Sequence, residues 1–311
     1  MLDFGPKRRV ETKMKLFSKS GGGFESLALA ALAALASLAA SALLASSPAL
    51  AASADGLAER WRIGVAPHTS ARVIVEQYQP VRAALEKGLG GKAEIVTAPD
   101  FTEFVRRALA GDYDVAITTG HQAQMLAADK GWIPLVTYKA DFRSVIVSAA
   151  GSPKIERPSQ LDGRPVAGLG ASSLVTIWGM HWIQDAGAKP EMRFVSAADS
   201  EARMIVAGEA VAGLMSQANF DKLPEDIRSK LRVDVSSPPM AGRVYLLSPS
   251  RADKAKAVLG VLESFSATPD AAAYFEANRL GGYRRVDPEE LGAMDRYADE
   301  VRAELSKGAS K

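Results

Sequence analysis

From Trp61 onward the chain alternates short apolar runs with longer segments of helical spacing. Trp61–Ala66 is a compact apolar run and predicts a strand. Val81, Leu85 and Leu89 then recur at helical intervals behind Pro80, which suits a first turn. Ala93–Ala98 predicts a second strand. Asp100–Asp112 follows as a helix capped by Asp100 and ended near Gly111. Asp114–Thr119, His121–Gly131 and Trp132–Tyr138 continue the series as strand, helix and strand. This order predicts a mainly parallel sheet with helices on both faces.

The alternation restarts after Asp141. Arg143–Ala150 and Arg164–Gly170 read as strands, Ser173–Gly187 as an apolar helix, Met192–Ser196 as a strand, Asp199–Gly208 as a helix and Ala210–Ser216 as a strand. Ser236–Arg243 breaks the pattern, Val244–Ser248 resumes it, and three helical stretches close the chain at about 252–266, 270–278 and 288–305. The expected fold class is α/β: two doubly wound lobes with a ligand cleft between them. The chain would cross between them near 141–143 and again near 239–243. Residues 52–142 and 241–311 then form lobe 1, and residues 143–240 form lobe 2. In open α/β sheets ligands sit beyond the carboxyl ends of strands, so two such sheets facing each other define a cleft.

The first 51 residues stand apart from this pattern. A basic segment from Lys7 to Lys19 precedes the uncharged run Leu27–Leu44, and Ala49-Leu50-Ala51 fits a small-x-small cleavage site. We read residues 1–51 as a signal peptide and expect a periplasmic mature chain; Met1 and Met14 are both possible starts. This segment holds six Lys/Arg and three Asp/Glu, so its removal takes the formal net charge from +2 to −1. No basic stripe is left to suggest nucleic acid. The 311-residue chain has no cysteine, which excludes disulfides, thiolate metal sites and a cysteine nucleophile.

Candidate chemistry gathers at three strand-to-helix junctions. Ser172 and Ser173 follow Gly168 and Gly170 at the start of an apolar helix. Free backbone N–H groups, hydroxyls and the positive end of a helix dipole meet there, which suits an anion. Either serine could equally serve as a cap. Thr118, Thr119, Gly120 and His121 form a second polar junction, and His68, Thr69 and Ser70 a third. Arg243, at the second crossover, would favour an anionic or neutral ligand tail over an ammonium group. Gly168-Leu-Gly-Ala-Ser-Ser173 lacks the third glycine of a dinucleotide fingerprint, and the next strand ends without an acidic residue. No cofactor is expected. The three histidines lie far apart, so no metal is expected either. With no nucleophile elbow, P-loop or paired carboxylates, an enzyme is disfavoured.

Taken in order, Ile63–His68, Tyr78–Ile117, Phe142–Ser148, Leu161–Ser173, Ala207–Gly213 and Ser237–Met240 resemble the periplasmic substrate-binding proteins of phosphate, phosphite and phosphonate ABC importers. The resemblance implies a type II periplasmic binding protein that closes on a small anion and delivers it to an ABC permease. A ligand sensor that signals to a membrane kinase is the alternative on the same fold. A monomer is expected. Ser172 and Ser173 match the hydroxyl run that such proteins carry, and Leu174 interrupts it. Thr118 or Thr119 replaces a tyrosine common there, Ala198 or Asp199 a histidine, and Ala218 and Arg243 fall where aminoalkylphosphonate binders carry carboxylates.

Overall fold

The computed structural model describes residues 59–309. The expected signal peptide lies outside the described residues. The chain runs β1 (Arg60–Val65), α1 (Ala71–Gln77), α2 (Gln79–Leu89), β2 (Lys92–Val96), α3 (Phe101–Leu109), β3 (Val115–Thr119), α4 (Gly120–Lys130) and β4 (Ile133–Tyr138). It continues with β5 (Ser144–Ala149), β6 (Pro165–Leu169), α5 (Leu174–Gln184), β7 (Glu191–Val195), α6 (Ala198–Val206), β8 (Ala212–Ser216), α7 (Gln217–Asp221), α8 (Glu225–Arg228) and β9 (Leu231–Ser236). β10 (Arg243–Leu247), α9 (Ala255–Ser266), α10 (Pro269–Ala277), β11 (Tyr283–Arg285), α11 (Pro288–Gly292) and α12 (Asp295–Ala309) complete it.

Local chemistry sets the element ends. The Asp100 carboxylate accepts the Glu103 N–H at 2.8 Å and starts α3. Gly131, in the left-handed conformation, stops α4. The third C-terminal stretch is two helices rather than one, because the chain turns at Ala293 and Met294 between α11 and α12.

Two sheets result, one ordered β11-β4-β10-β3-β1-β2 and the other β7-β6-β8-β5-β9. Most strands of each sheet run the same way, as expected, but both sheets are mixed: β10 and β11 in the first and β5 in the second run opposite to the rest. β10 is antiparallel to β3 and β4, and β5 is antiparallel to β8 and β9. The cause is connectivity. The parallel strands end at the cleft edge, and a strand arriving straight from the other lobe begins at that edge. It must therefore run the opposite way. The register shows this directly: Arg243, first in β10, pairs with Thr119, last in β3, and Ser144, first in β5, pairs with Ser216, last in β8.

The segments joining the sheets run side by side, and the Met240 N–H donates to the Phe142 carbonyl at 2.9 Å. One apolar core is continuous between the lobes. It takes Ala116 and Val244 from the first sheet, Ile146 and Val166 from the second, and Phe104, Met125, Trp178 and Val301 from α3, α4, α5 and α12. Separate cores fill the outer faces, with α2 and α9 on the first sheet and α6 on the second. α12 is also tied to both lobes by charge: Arg302 holds Asp129 of α4 with two bonds of 2.8 Å, and Arg296 reaches Asp185, just past α5, at 2.6 Å. Among the described residues no helix is long and apolar enough to cross a membrane.

Candidate functional site

Several cavities open between the lobes, and they share lining residues. The largest, about 780 Å³, runs between the Pro67–Ala71 and Thr97–Thr102 turns on one side and Leu169–Ser172 and Phe194–Ala197 on the other. Its charged lining is Asp100, Arg106 and Glu304. A second, of about 200 Å³, includes His68, Thr69, Asp199, Asn219, Lys222 and Arg243. The smallest, about 40 Å³, is lined by Thr119, Ser173, Leu174, Val175, Ser216 and Arg243, among others. Size and chemistry run in opposite order. The small compartment concentrates donors and a cation; the large one is chiefly an open groove with acidic groups.

The small compartment is assembled by topology. Thr119, Ser173 and Ser216 are the N-caps of α4, α5 and α7, each just beyond the carboxyl end of a strand. Ser173 makes no capping bond with its side chain and is 3% exposed. The first bond of α5 runs from the Ile177 N–H to the Ser173 carbonyl, so the N–H groups of Leu174, Val175 and Thr176 have no acceptor within the helix. They and the helix dipole favour an anion. Ser216 does cap, accepting the Asn219 N–H at 3.1 Å. Its own proton stays available to a ligand.

Arg243 supplies the charge. Its side chain is bonded to the Tyr78 hydroxyl, at 3.4 Å. Among the described residues it has no carboxylate partner. A half-buried guanidinium left unneutralised in a polar cleft is a strong anion attractor, since it stays protonated at every accessible pH. Lys222 lines the adjoining compartment, among the described residues without a carboxylate within ion-pair distance, and burial followed by the Arg243 charge lowers its pKa.

The other expected site residues are engaged elsewhere. Thr118 is buried and donates to Gln122, which donates in turn to the Phe101 carbonyl. It points away from the cleft because strand neighbours alternate. His121 is fully buried, with Nε2 at 2.9 Å from the Ser172 carbonyl and Nδ1 at 3.1 Å from the Thr119 hydroxyl. The Ser172 hydroxyl pairs with that of Thr102 at 2.8 Å. Ser172 therefore stitches the lobes together through both its carbonyl and its hydroxyl. Ser70 is exposed and caps α1, and Thr69 is half-buried between the two larger cavities.

Burial drives the His121 pKa down to about 4. For His68, burial and then the Arg243 charge drive it down to about 3. Both rings are neutral at pH 7. Gly120 is required where it stands: a Cβ there would lie 2.5 Å from the Ala241 side chain and carbonyl, where α4 passes the second crossover.

Sequence reading missed Ser216, Asn219 and Tyr78. The first two had a readable signal, since Leu-Met-Ser-Gln-Ala-Asn repeats the strand–hydroxyl–helix pattern of the Ser173 junction. Tyr78 had none; only the fold brings it to Arg243. Among the described residues no cluster of metal-ligating groups occurs.

A family model described as the phosphonate ABC transporter periplasmic substrate-binding protein matches residues 63–291. Curated proteins give no sequence match. Among solved structures, PhnD1 from Prochlorococcus marinus in complex with methylphosphonate superposes with a TM-score of 0.69 at 12% identity, over 78% of this chain and 98% of that one. A Xanthomonas citri protein bound to chloride ion gives 0.66 at 19% identity, over 79% and 99% of the two chains. The aliphatic sulphonate binding protein SsuA from Escherichia coli gives 0.58 at 19%, over 79% and 92%. At such identities these three share the fold.

Proposed function

Since the chain belongs to the family of periplasmic substrate-binding proteins of phosphonate ABC transporters, we propose that it captures a small phosphonate-like oxyanion in the compartment between Thr119, Ser173, Ser216 and Arg243. It then presents that anion to an ABC permease. We read the protein as a carrier and not an enzyme, because its family is one of transport-binding proteins. Export through the leader at residues 1–51 places it in the periplasm, where it works as a monomer.

The observation that carries the reading is Arg243, a cation without a carboxylate partner among the described residues, converging with three N-cap hydroxyls. Ser173, Ser216, the Leu174 and Val175 N–H groups and Arg243 donate to the oxyanion. The compartment of about 200 Å³ with Lys222 takes its tail. Ser172 and His121 hold the lobes together around it. Calorimetry and thermal shift with methylphosphonate, phosphite, phosphate and methanesulfonate test this. At least one should bind and raise the melting temperature, because a ligand held only by the native state stabilises it. No response to any of them would overturn the reading.

A further inference from the structure

Thr119 is the one hydroxyl of the compartment whose proton is already committed. The Ser172 carbonyl, 2.9 Å from His121 Nε2, can only accept, so Nε2 carries the ring proton. The ring is buried and neutral, and it has no second proton. Nδ1 is therefore a lone pair. Thr119 Oγ1, 3.1 Å away, must donate to it. A hydroxyl has one proton, so Thr119 shows the compartment nothing but acceptor lone pairs.

Most of its neighbours have the opposite polarity. Arg243 and the N–H groups of Leu174 and Val175 only donate, and Ser173 and Ser216 keep protons to give. His68 Nδ1 donates to the Ala66 carbonyl at 2.9 Å, so its Nε2, 3.5 Å from the Gln77 side chain, is a second acceptor at the edge of the compartment. A hydroxyl fixed as an acceptor beside these donors fits a ligand with several anionic oxygens and one O–H.

We propose that Thr119, oriented by His121 and Ser172, is a specificity residue that selects a singly protonated oxyanion, a hydrogen phosphonate or hydrogen phosphite, over a fully ionised sulfonate of the same shape. The proposal rests on the reading of this compartment as the oxyanion site. A phosphorus oxyanion with its second ionisation near neutrality retains an O–H to donate. A sulfonate is a strong acid and has none. Its third oxygen would meet the Thr119 lone pairs, leaving two acceptors opposed. Sites built around a hydrogen bond reject analogues lacking it far more strongly than apolar pockets reject a misfit.

Calorimetry with methylphosphonate and methanesulfonate on the wild-type protein, Thr119→Val and Thr119→Ser tests this. The wild type should bind methylphosphonate at least about a hundredfold tighter. Thr119→Val should lose affinity mainly for methylphosphonate, bringing the two anions within about tenfold. Thr119→Ser keeps the hydroxyl and its donation to His121 and should keep the preference; this variant and the wild type decide the matter if the valine variant does not fold. Equal wild-type affinity, or an undiminished preference in Thr119→Val, overturns the selectivity and leaves the oxyanion site standing. Wild-type protein that binds neither anion removes the oxyanion site and this proposal with it.

Discussion

Arg243 and Thr119 face each other in register across the antiparallel ladder between β10 and β3. One begins its strand and the other ends its strand, so both lie at the edge of the first sheet that meets the cleft. The return from the second lobe thus delivers a cation to the place where a strand gives way to a helix. Charge and hydroxyl become neighbours through chain topology, 124 positions apart in sequence.

Arg243→Ala should therefore weaken methylphosphonate binding by about a hundredfold or more. Charge-assisted hydrogen bonds contribute about 1.5–3 kcal/mol each, and about 1.4 kcal/mol is tenfold. Arg243→Lys should recover part of the loss, because a point charge remains while the planar fork is gone. Calorimetry on both variants checks this. Unchanged affinity in the alanine variant would move the anion out of this compartment.

Ser173 and Ser216 should separate binding from stability. Ser173 makes no capping bond, so Ser173→Ala should cost about ten- to a hundredfold in affinity and little in denaturant midpoint. Ser216 caps α7 and lines the same compartment. Ser216→Ala should lower affinity and also cost about 1 kcal/mol of stability. A large stability loss in Ser173→Ala with intact affinity would make Ser173 structural.

Much of this was legible because it is periodic. The strands before Ser173 and Thr119 and the helices after them follow from apolar spacing, and so do the junctions between them. β9 and β11 escaped, one because alternating charges dilute Leu231–Ser236 and the other because three residues carry no period. Orientation could not be read. Thr118 and Thr119 look equivalent in sequence, yet one faces the core and donates to Gln122 while the other lines the cleft. The same holds for Ser172 and Ser173: one binds the opposite lobe, the other the compartment. Those differences depend on where the second lobe sits, which no local pattern encodes.

Acid should weaken the fold through His121, which is buried, and His68, which is half-buried. The folded pKa values, about 4 for His121 and about 3 for His68, lie below the ordinary imidazole value of 6.5. Between those values the unfolded chain binds more protons, so stability is full above about pH 6.5 and is lost as pH falls. For His121 the window to pH 4 is worth about 3 kcal/mol. Urea midpoints from pH 7 to 4 should fall, and His121→Gln should flatten part of that fall. An identical acid limb in the variant would assign the loss to other groups.

Glu201 should act in the opposite sense. It lies on α6, fully buried, close enough to β8 that a Cβ at Gly213 would be 3.4 Å from its Oε2. Among the described residues neither carboxyl oxygen has a hydrogen-bond partner. Burial, the dominant cause, raises its pKa well above the ordinary 4.5, with a smaller opposing contribution from the Leu169 backbone. The folded chain then holds a proton that the unfolded chain releases, so stability is lost as pH rises above about 4.5. Replacing the side chain with an apolar one of similar size removes both the orphaned oxygens and the titration. Glu201→Leu should match the wild type most closely near pH 5 and exceed it increasingly toward pH 8. The gap should widen by up to about 1.4 kcal/mol per pH unit. Urea unfolding of both proteins across that range measures it directly. A constant difference between them would mean that Glu201 ionises in the folded chain much as it does in the unfolded one, and that its burial is relieved by a partner.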